Sequence, residues 1–491
     1  MSSVKNEIFK GVFWTALARY SGFLLSIIIT AILARKITPE AFGTMAIATV
    51  IMAFLDIILE MGLSSAIIQF KDLSKKQINT IFVFSWVIGL IVAVIMFFLS
   101  KYIAVQYNDQ SLSSICKLLC IIIIFNSLNI VPNGLMLKHK RFKAIAVRTL
   151  SIQIIAGTIS IWGAFKGWGV YALILTPIVT SIGVFIINFV NYPQSIIINC
   201  DFSIAKKVIK YSGYQFLFSI INYWSRNIDK LIIGKYYSMT DLGYYDKSYR
   251  LMLMPIQLIS SVISPVLHPV LSNFQNDVKG IAIKATKILV FISRISFPIG
   301  LILFFCAKEI ITIVFGPDWS QAVPVFMIFA LSLPVQLIAS PGGIFYQSIG
   351  RTDLSFLGGL LNTIVTISGF IIAAIFFKHI TAIAWAWTIS QYVTFSYSYV
   401  IVYKYGFKTS CKELYKKASV QIINIIISAG ICITLFNIYI PNNDFVAVFY
   451  KSIIILFNVI CIGIILKQYS VTQIITILKE IKAWKKTIKQ Y

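Results

Sequence analysis

The sequence predicts an all-α integral membrane protein with about fourteen transmembrane helices. Composition, recurring apolar runs and the placement of charges each predict this class. Hydrophobic residues make up 58% of the 491 positions and charged residues only 12%. That is too apolar for the surfaces of water-soluble domains, so a polytopic membrane protein is expected.

Apolar runs of about 20 residues recur along the chain, and each is long enough to cross a hydrocarbon core of about 30 Å as a helix. The gaps between them are too short for a soluble catalytic domain. The first run is too long for a signal-peptide core and lacks a cleavage site, so we expect it to be retained. The predicted spans are 12–33, 42–63, 79–100, 112–133, 145–165, 168–190, 212–234, 243–267, 286–306, 322–348, 355–377, 381–403, 418–438 and 446–466.

The net charge of +26 is distributed unevenly across the gaps between spans. With the N-terminus in the cytoplasm, the inward loops hold most of the Lys and Arg, as the positive-inside rule requires. We therefore expect both termini in the cytoplasm and no nucleic-acid partner. The basic residues assigned to the inner side include Lys71, Lys75, Lys76, Lys138, Lys140, Arg141, Lys143, Arg148, Lys206, Lys207, Lys210, Lys279, Lys284, Lys287, Lys404, Lys408, Lys412, Lys416 and Lys417.

One turn sequence occurs twice, 200 positions apart. Residues 33–43 read LARKITPEAFG and residues 233–243 read IGKYYSMTDLG, with Gly43 and Gly243 as the only identity. Six predicted spans separate the copies, so both have the same orientation and a parallel repeat is expected. The predicted organisation is an N-terminal six-helix lobe at 1–200 and a second at 201–405, around a central cavity.

Residues 406–491 lie outside this repeat and hold two additional predicted helices and a basic tail. The two helices form either a peripheral pair or the wall of a lipid-facing groove. In the tail, residues 474, 477, 478, 481 and 484 share one helical face with lysines opposite. That pattern predicts a helix on the anionic inner leaflet, with a frayed basic tail as the alternative.

No metal or cofactor motif occurs in the sequence. The seven Cys form no CxxC pair and the three His are isolated, so we expect packing cysteines, no metal and no cofactor. A membrane enzyme such as a polymerase or acyltransferase usually needs a sizeable outer loop or a membrane His/Asp pair. Neither is present, and we expect no catalytic residues.

Charged residues inside the predicted spans carry the functional information, because each costs at least about 2.5 kcal/mol at the centre of a lipid-facing helix. Most lie on spans 1, 2, 7 and 8, and the basic ones are in excess. Arginine binds phosphate oxygens in pairs, so a cleft lined by this excess suits a phosphorylated head group. The predicted anion-binding residues are Arg19, Arg226, Lys230, Arg250 and Arg294.

Four acidic residues in the spans have open roles. Asp56 and Glu60 lie four residues apart on one helix face, where they bind a coupling cation or proton or pair with Arg19. Asp229 and Asp246 have the same alternatives, with internal ion pairs to the cations beside them.

Five tyrosines cluster at the predicted outer ends of spans 7 and 8. Such a cluster is typical of an interfacial aromatic belt. The more specific alternative is that these tyrosines stack on the sugar rings of a substrate. The residues are Tyr236, Tyr237, Tyr244, Tyr245 and Tyr249.

Several short runs resemble one transporter family. They are LAR at 33–35 with TPEAFG at 38–43, DKLIIG at 229–234 with LGYY at 242–245, and FGPDW at 315–319 with GRTD at 350–353. These runs are similar to the Wzx-type polysaccharide flippases, which include O-antigen, colanic-acid and teichuronic-acid exporters. That branch belongs to the multidrug/oligosaccharidyl-lipid/polysaccharide exporter superfamily, and the resemblance covers about residues 5–410.

The resemblance implies two six-helix lobes in the bacterial cytoplasmic (inner) membrane. It also implies movement of undecaprenyl-pyrophosphate-linked oligosaccharide from the inner to the outer leaflet for surface polysaccharide. The implied partners are this lipid-linked glycan, anionic membrane lipids, and a polysaccharide polymerase with its chain-length machinery. Two alternatives are a peptidoglycan-precursor (lipid II) flippase and a multidrug cation antiporter of the same superfamily, which predicts an acidic cavity.

Overall fold

The computed structural model describes residues 2–70, 72–195, 203–272 and 277–468. Within these ranges the chain forms α-helices joined by short turns, with no strand, as the sequence predicts. The predicted tail helix at 474–484 lies outside the described residues.

Seventeen α-helices occur in the described ranges, together with a 3-10 turn at Pro317–Trp319 and a π-helical turn at Val402–Gly406. In chain order they are α1 (Ser2–Ala34), α2 (Pro39–Glu60), α3 (Leu63–Gln69), α4 (Lys75–Gln106), α5 (Gln110–Lys138), α6 (Phe142–Phe165), α7 (Val170–Asn191), α8 (Ser203–Tyr236), α9 (Met239–Ser272), α10 (Val278–Phe305), α11 (Ala307–Phe315), α12 (Ala322–Ala339), α13 (Gly342–Ser348), α14 (Thr352–Phe376), α15 (Ile380–Ile401), α16 (Lys412–Ile438) and α17 (Asp444–Ile465).

In the described part of the chain, 11 helical segments are long and apolar enough to cross a membrane. Each matches a predicted span. The other predicted spans, at 212–234, 243–267 and 381–403, correspond to α8, α9 and α15, which are long enough but are not among those 11 segments. Charged side chains lower the hydropathy of α8, and Trp, Tyr, Ser and Thr lower that of α15. The membrane fold is confirmed, and the count of fourteen spans stays a prediction.

The first of two compact units comprises Met1–Asp246 and Val314–Asp318. In it α4 packs along α5, α6 along α7, and α1 against α6, while α8 contacts α2, α3 and α4. The unit ends inside α9 because the beginning of that helix is bound to α8 by buried polar contacts. This boundary differs from the one at 200/201 that the repeat predicts, and the lobes 1–200, 201–405 and 406–491 stay a prediction.

The second unit comprises Lys247–Ile313 and Trp319–Tyr491. Helix α12 packs against α10 and α15, and α14 packs along α15. The last two helices, α16 and α17, pack on each other and on α10. A buried apolar cluster joins these three helices through Leu301, Cys432, Phe436, Ile455 and Val459. The two C-terminal helices therefore form part of the core of this unit.

The repeated turn has the same local structure in both copies. Thr38 caps α2 by accepting a hydrogen bond from the amide of Ala41, and Ser238 caps α9 by accepting one from Asp241 at 3.0 Å. A hydroxyl at the N-cap satisfies one of the first amides of a helix, which have no partner within the helix. The Thr38/Ser238 similarity between the two copies of the turn sequence therefore marks equivalent N-termini of α2 and α9.

Candidate functional site

Gly43 and Gly243 lie in direct backbone contact within the first unit. A β-carbon built on Gly43 would be 2.6 Å from the carbonyl carbon of Met239, and one built on Gly243 would be 2.8 Å from that of Pro39. Gly43 thus faces the carbonyl group of Met239, four residues before Gly243. In the same way, Gly243 faces the carbonyl group of Pro39, four residues before Gly43. Only residues without a side chain allow α2 and α9 to approach this closely. Gly43 and Gly243, the only identical pair in the two copies of the turn sequence, are therefore the residues at which the two copies are in contact.

Beyond this crossing, charged residues of α8 and α9 form a buried polar cluster. The Lys230 ammonium lies 3.0 Å from Asp246, and both side chains are at most 10% exposed. Asp229 accepts hydrogen bonds from the Tyr245 hydroxyl at 2.8 Å and from the amide of Lys230 at 2.9 Å. A buried ion pair holds its partners in fixed geometry, because separating them leaves an uncompensated charge.

This cluster bears on the sequence-based roles of its members. Asp246 forms an ion pair with Lys230 on the neighbouring helix α8, and its role as a coupling or charge-pairing residue stays a prediction. Lys230, which we predicted as an anion-binding residue, is buried against Asp246 instead. Its charge is already neutralised at short range, so Lys230 presents less positive charge to a ligand than an arginine with no acidic neighbour.

The four predicted anion-binding arginines lie in different places. In the first unit, Arg19 on α1 and Arg226 on α8 are both exposed. In the second unit, Arg250 on α9 is exposed and Arg294 on α10 is half-buried. The structure therefore does not assemble all five predicted cations within either unit, and their joint role stays a prediction.

Asp56 and Glu60 line a polar cavity of about 270 Å³ within the first unit, between α2, α3 and α5. The Asp56 carboxylate accepts a hydrogen bond from the Asn126 amide at 2.9 Å. In the described residues neither carboxylate forms the ion pair with Arg19 that was one of our two expectations. The other lining residues are Leu59, Ser64, Asn126, Asn129, Ile130 and Asn133.

Sequence reasoning missed the polar network behind this cavity. Arg148, which we counted among the inner-loop cations, lies within α6 and is buried. Its guanidinium donates to Asn188 on α7, and Asn188 donates to Asn129 on α5 at 2.7 Å. The signal was present in the spacing of Asn126, Asn129 and Asn133, which place three amides on one face of α5.

A second buried ion pair was also missed. In the second unit, the Lys451 ammonium on α17 lies 2.6 Å from Glu309 on α11 and donates to the carbonyl of Phe305 at 2.9 Å. Both charged side chains are 7% exposed. The rule that charges within apolar runs need partners would have selected Lys451, which lies inside predicted span 14.

The tyrosine cluster divides into different environments. Tyr236 is 69% exposed, as an interfacial residue would be, whereas Tyr245 is fully buried against Asp229. Tyr249 packs edge-on against Phe329 and Trp387 in the second unit. At the turn between α8 and α9, burial and the nearby Asp241 raise the pKa of Tyr237, so this phenol stays protonated at neutral pH.

The family described as polysaccharide biosynthesis protein matches residues 32–324, which is more than half of the chain. The chain belongs to this family. One relative is the lipopolysaccharide biosynthesis protein WzxC of Escherichia coli (strain K12), with 24% identity over 75% of this chain and 76% of that protein. Another is the teichuronic acid biosynthesis protein TuaB of Bacillus subtilis (strain 168), with 24% identity over 80% of this chain and 82% of that one.

Among solved structures, the lipid II flippase MurJ in an inward closed conformation matches with a TM-score of 0.73. The match covers 93% of this chain and 99% of that one at 16% identity, which shows a shared fold alone. Together, the family match and this fold confirm the resemblance to polysaccharide flippases that the sequence runs indicated.

Proposed function

We propose that this protein moves an undecaprenyl-pyrophosphate-linked oligosaccharide from the inner to the outer leaflet of the bacterial cytoplasmic membrane. The observation that carries the proposal is the polysaccharide-biosynthesis family match in a chain whose described residues include 11 membrane-length helices. A member of a polysaccharide biosynthesis family built largely of such helices suits a lipid-linked intermediate as its substrate. The step is transport, with no bond made or broken.

Arg19, Arg226, Arg250 and Arg294 are the proposed contacts for the pyrophosphate. Guanidinium groups stay charged and bind phosphate oxygens with two parallel hydrogen bonds. Outward movement of one negative charge across an inside-negative membrane is favoured by about 2.3 kcal/mol per 100 mV. The membrane potential would therefore assist the export of a pyrophosphate.

Lipid II is the alternative substrate, because the fold resembles that of MurJ. The likeness supports a shared architecture, whereas the polysaccharide family match supports the oligosaccharide. A multidrug cation antiporter is less favoured because the basic residues in the spans outnumber the acidic ones. Antiport of cations calls for an acidic site.

Deletion of the gene in its host tests the proposed function. We expect loss of surface polysaccharide and accumulation of lipid-linked repeat units on the inner leaflet. Accumulation of lipid II with intact surface polysaccharide would refute the proposal in favour of the peptidoglycan precursor. Complementation with Arg19→Gln and Arg226→Gln tests the anion contacts. Arg141→Gln, an exposed arginine in the turn before α6, is the matched control.

Orientation is tested separately. A fluorescent protein that folds only in the cytoplasm, fused to the C-terminus, should fluoresce if both termini lie inside. A periplasmic phosphatase at the same position should be inactive. The reverse pattern would exclude the proposed topology that we assign from the positive-inside rule.

A further inference from the structure

The cavity between α2, α3 and α5 contains more polar surface than helix packing requires. Of its eight lining side chains, only Leu59 and Ile130 are apolar. The polar side chains come from helical segments of membrane-spanning length, where a polar group that meets neither water nor a polar ligand is strongly destabilising. A polar ligand is therefore the natural occupant of this cavity.

Buried neighbours orient two of the asparagine amides. The oxygen of Asn129 accepts from Asn188 at 2.7 Å, and the oxygen of Asn133 accepts from Arg148 at 3.4 Å. Because these oxygens already accept hydrogen bonds, the amide nitrogens of Asn129 and Asn133 are left as donors, and both residues line the cavity.

Other lining residues supply acceptors. Asp56 and Glu60 contribute carboxylate oxygens from α2, and the Asn126 nitrogen on α5 is already bonded to Asp56 at 2.9 Å. The Asn126 oxygen is thus left as a further acceptor. A lining that holds both donors and acceptors matches a ligand whose groups both donate and accept, and the hydroxyl is such a group.

Size and charge favour a hydroxylated ring over an ion. A bulk water occupies about 30 Å³, so about 270 Å³ corresponds to about nine waters, far more than one dehydrated cation needs. The two amide N–H groups left over as donors disfavour a cation, whereas the two carboxylates disfavour a phosphate. A neutral sugar residue meets both conditions.

We propose that this cavity binds one monosaccharide residue of the transported glycan. Asn129 and Asn133 donate to its hydroxyls, while Asp56, Glu60 and Asn126 accept from them. The inference rests on the proposed function. In the predicted orientation the cavity lies toward the cytoplasmic side, because α2 and α5 both approach their inner ends there. A glycan assembled in the cytoplasm would meet this subsite first.

The test uses the full-length protein in nanodiscs and two probes. One is undecaprenyl pyrophosphate alone, and the other is the same lipid carrying the host's repeat unit, extracted from a polymerase-deficient strain. We expect the wild type to bind the glycan-bearing lipid at least about tenfold more tightly. Removal of one hydrogen bond typically lowers affinity about fivefold, so Asn129→Ala with Asn133→Ala should abolish most of this preference.

Affinity for the bare lipid should be the same in the double variant, which shows that the protein is still folded. The matched control is Asn191→Ala on α7, whose exposed amide donates only to the Ile187 carbonyl of its own helix. It should keep the preference of the wild type.

Three outcomes would overturn the inference. Equal binding of both lipids by the wild type would remove the subsite while leaving the proposed function intact. Binding of neither lipid would refute the proposed function, and the subsite with it. If Asp56→Asn abolished a Na⁺ or proton dependence of transport and the double variant kept its glycan preference, the cavity would be a cation site.

Discussion

Substitution of Gly43 by Ala should separate α2 from α9. The added β-carbon would be 2.6 Å from the Met239 carbonyl carbon and 3.1 Å from the Gly243 nitrogen. Carbon atoms in contact normally lie at least about 3.5 Å apart, so the two backbones must move by about 1 Å. Overpacking of this kind costs about 1–3 kcal/mol.

The control for this substitution is Gly359→Ala. Gly359 is also inside a helix, α14, but it is exposed and has no atom within 4 Å of a built β-carbon. Alanine there should stabilise by about 0.5–1 kcal/mol through helix propensity alone. Because both variants share that gain, the difference in their free energies of unfolding measures the clash, which we expect to be about 1–3 kcal/mol.

The assay is reversible unfolding of the purified variants in mixed micelles. Gly243→Ala should behave like Gly43→Ala, since its β-carbon would be 2.8 Å from the Pro39 carbonyl carbon. The double variant should cost less than the sum of the two, because one shift of the helices accommodates both methyl groups. Equal stability of Gly43→Ala and Gly359→Ala would refute the reasoning.

Three further predictions concern buried and capping groups. Lys451→Met should destabilise by about 3–5 kcal/mol by leaving the Glu309 carboxylate buried and unpaired, and a Lys451→Met/Glu309→Leu double variant should recover most of that loss in the same assay. Tyr245→Phe should lower the free energy of unfolding by about 1–3 kcal/mol, because the buried Asp229 carboxylate loses a hydrogen-bond donor. Tyr236→Phe at an exposed site should change it by less than about 0.5 kcal/mol, and equal effects of the two substitutions would contradict the prediction. Ser238→Ala should cost about 1 kcal/mol in the same assay through loss of the α9 cap.

The helices were predictable because apolar runs of membrane length have few alternative structures. The equivalence of the two turns was also within reach, since the N-cap role of Thr38 and Ser238 follows from residue type. What the sequence could not give was the contact between the copies. Which surface of a glycine is covered, and by which backbone atoms, depends on how distant helices cross.

For the candidate site, the limit of prediction was the choice of partner. Asp246 had Lys247 and Arg250 nearby in sequence, and the structure adds an ion pair with Lys230 across the turn, which spacing along α9 does not indicate. For Asp56, one of the two predictions was an ion pair with Arg19, because opposite charges attract. In the structure its partner is the neutral side-chain amide of Asn126 on α5. Pairing inside a bundle follows helix register between segments that are far apart in sequence, and spacing along one helix does not encode that register.

The Lys451–Glu309 pair has a consequence for how the chain is made. Its members are 142 residues apart, so Glu309 emerges from the ribosome long before its partner. At about 5–20 residues per second, Lys451 follows about 7–28 s later. During that interval the α11 carboxylate has no ammonium partner. Packing of α17 against α11 then supplies that partner, so insertion of α17 is the step that forms this ion pair in the second unit.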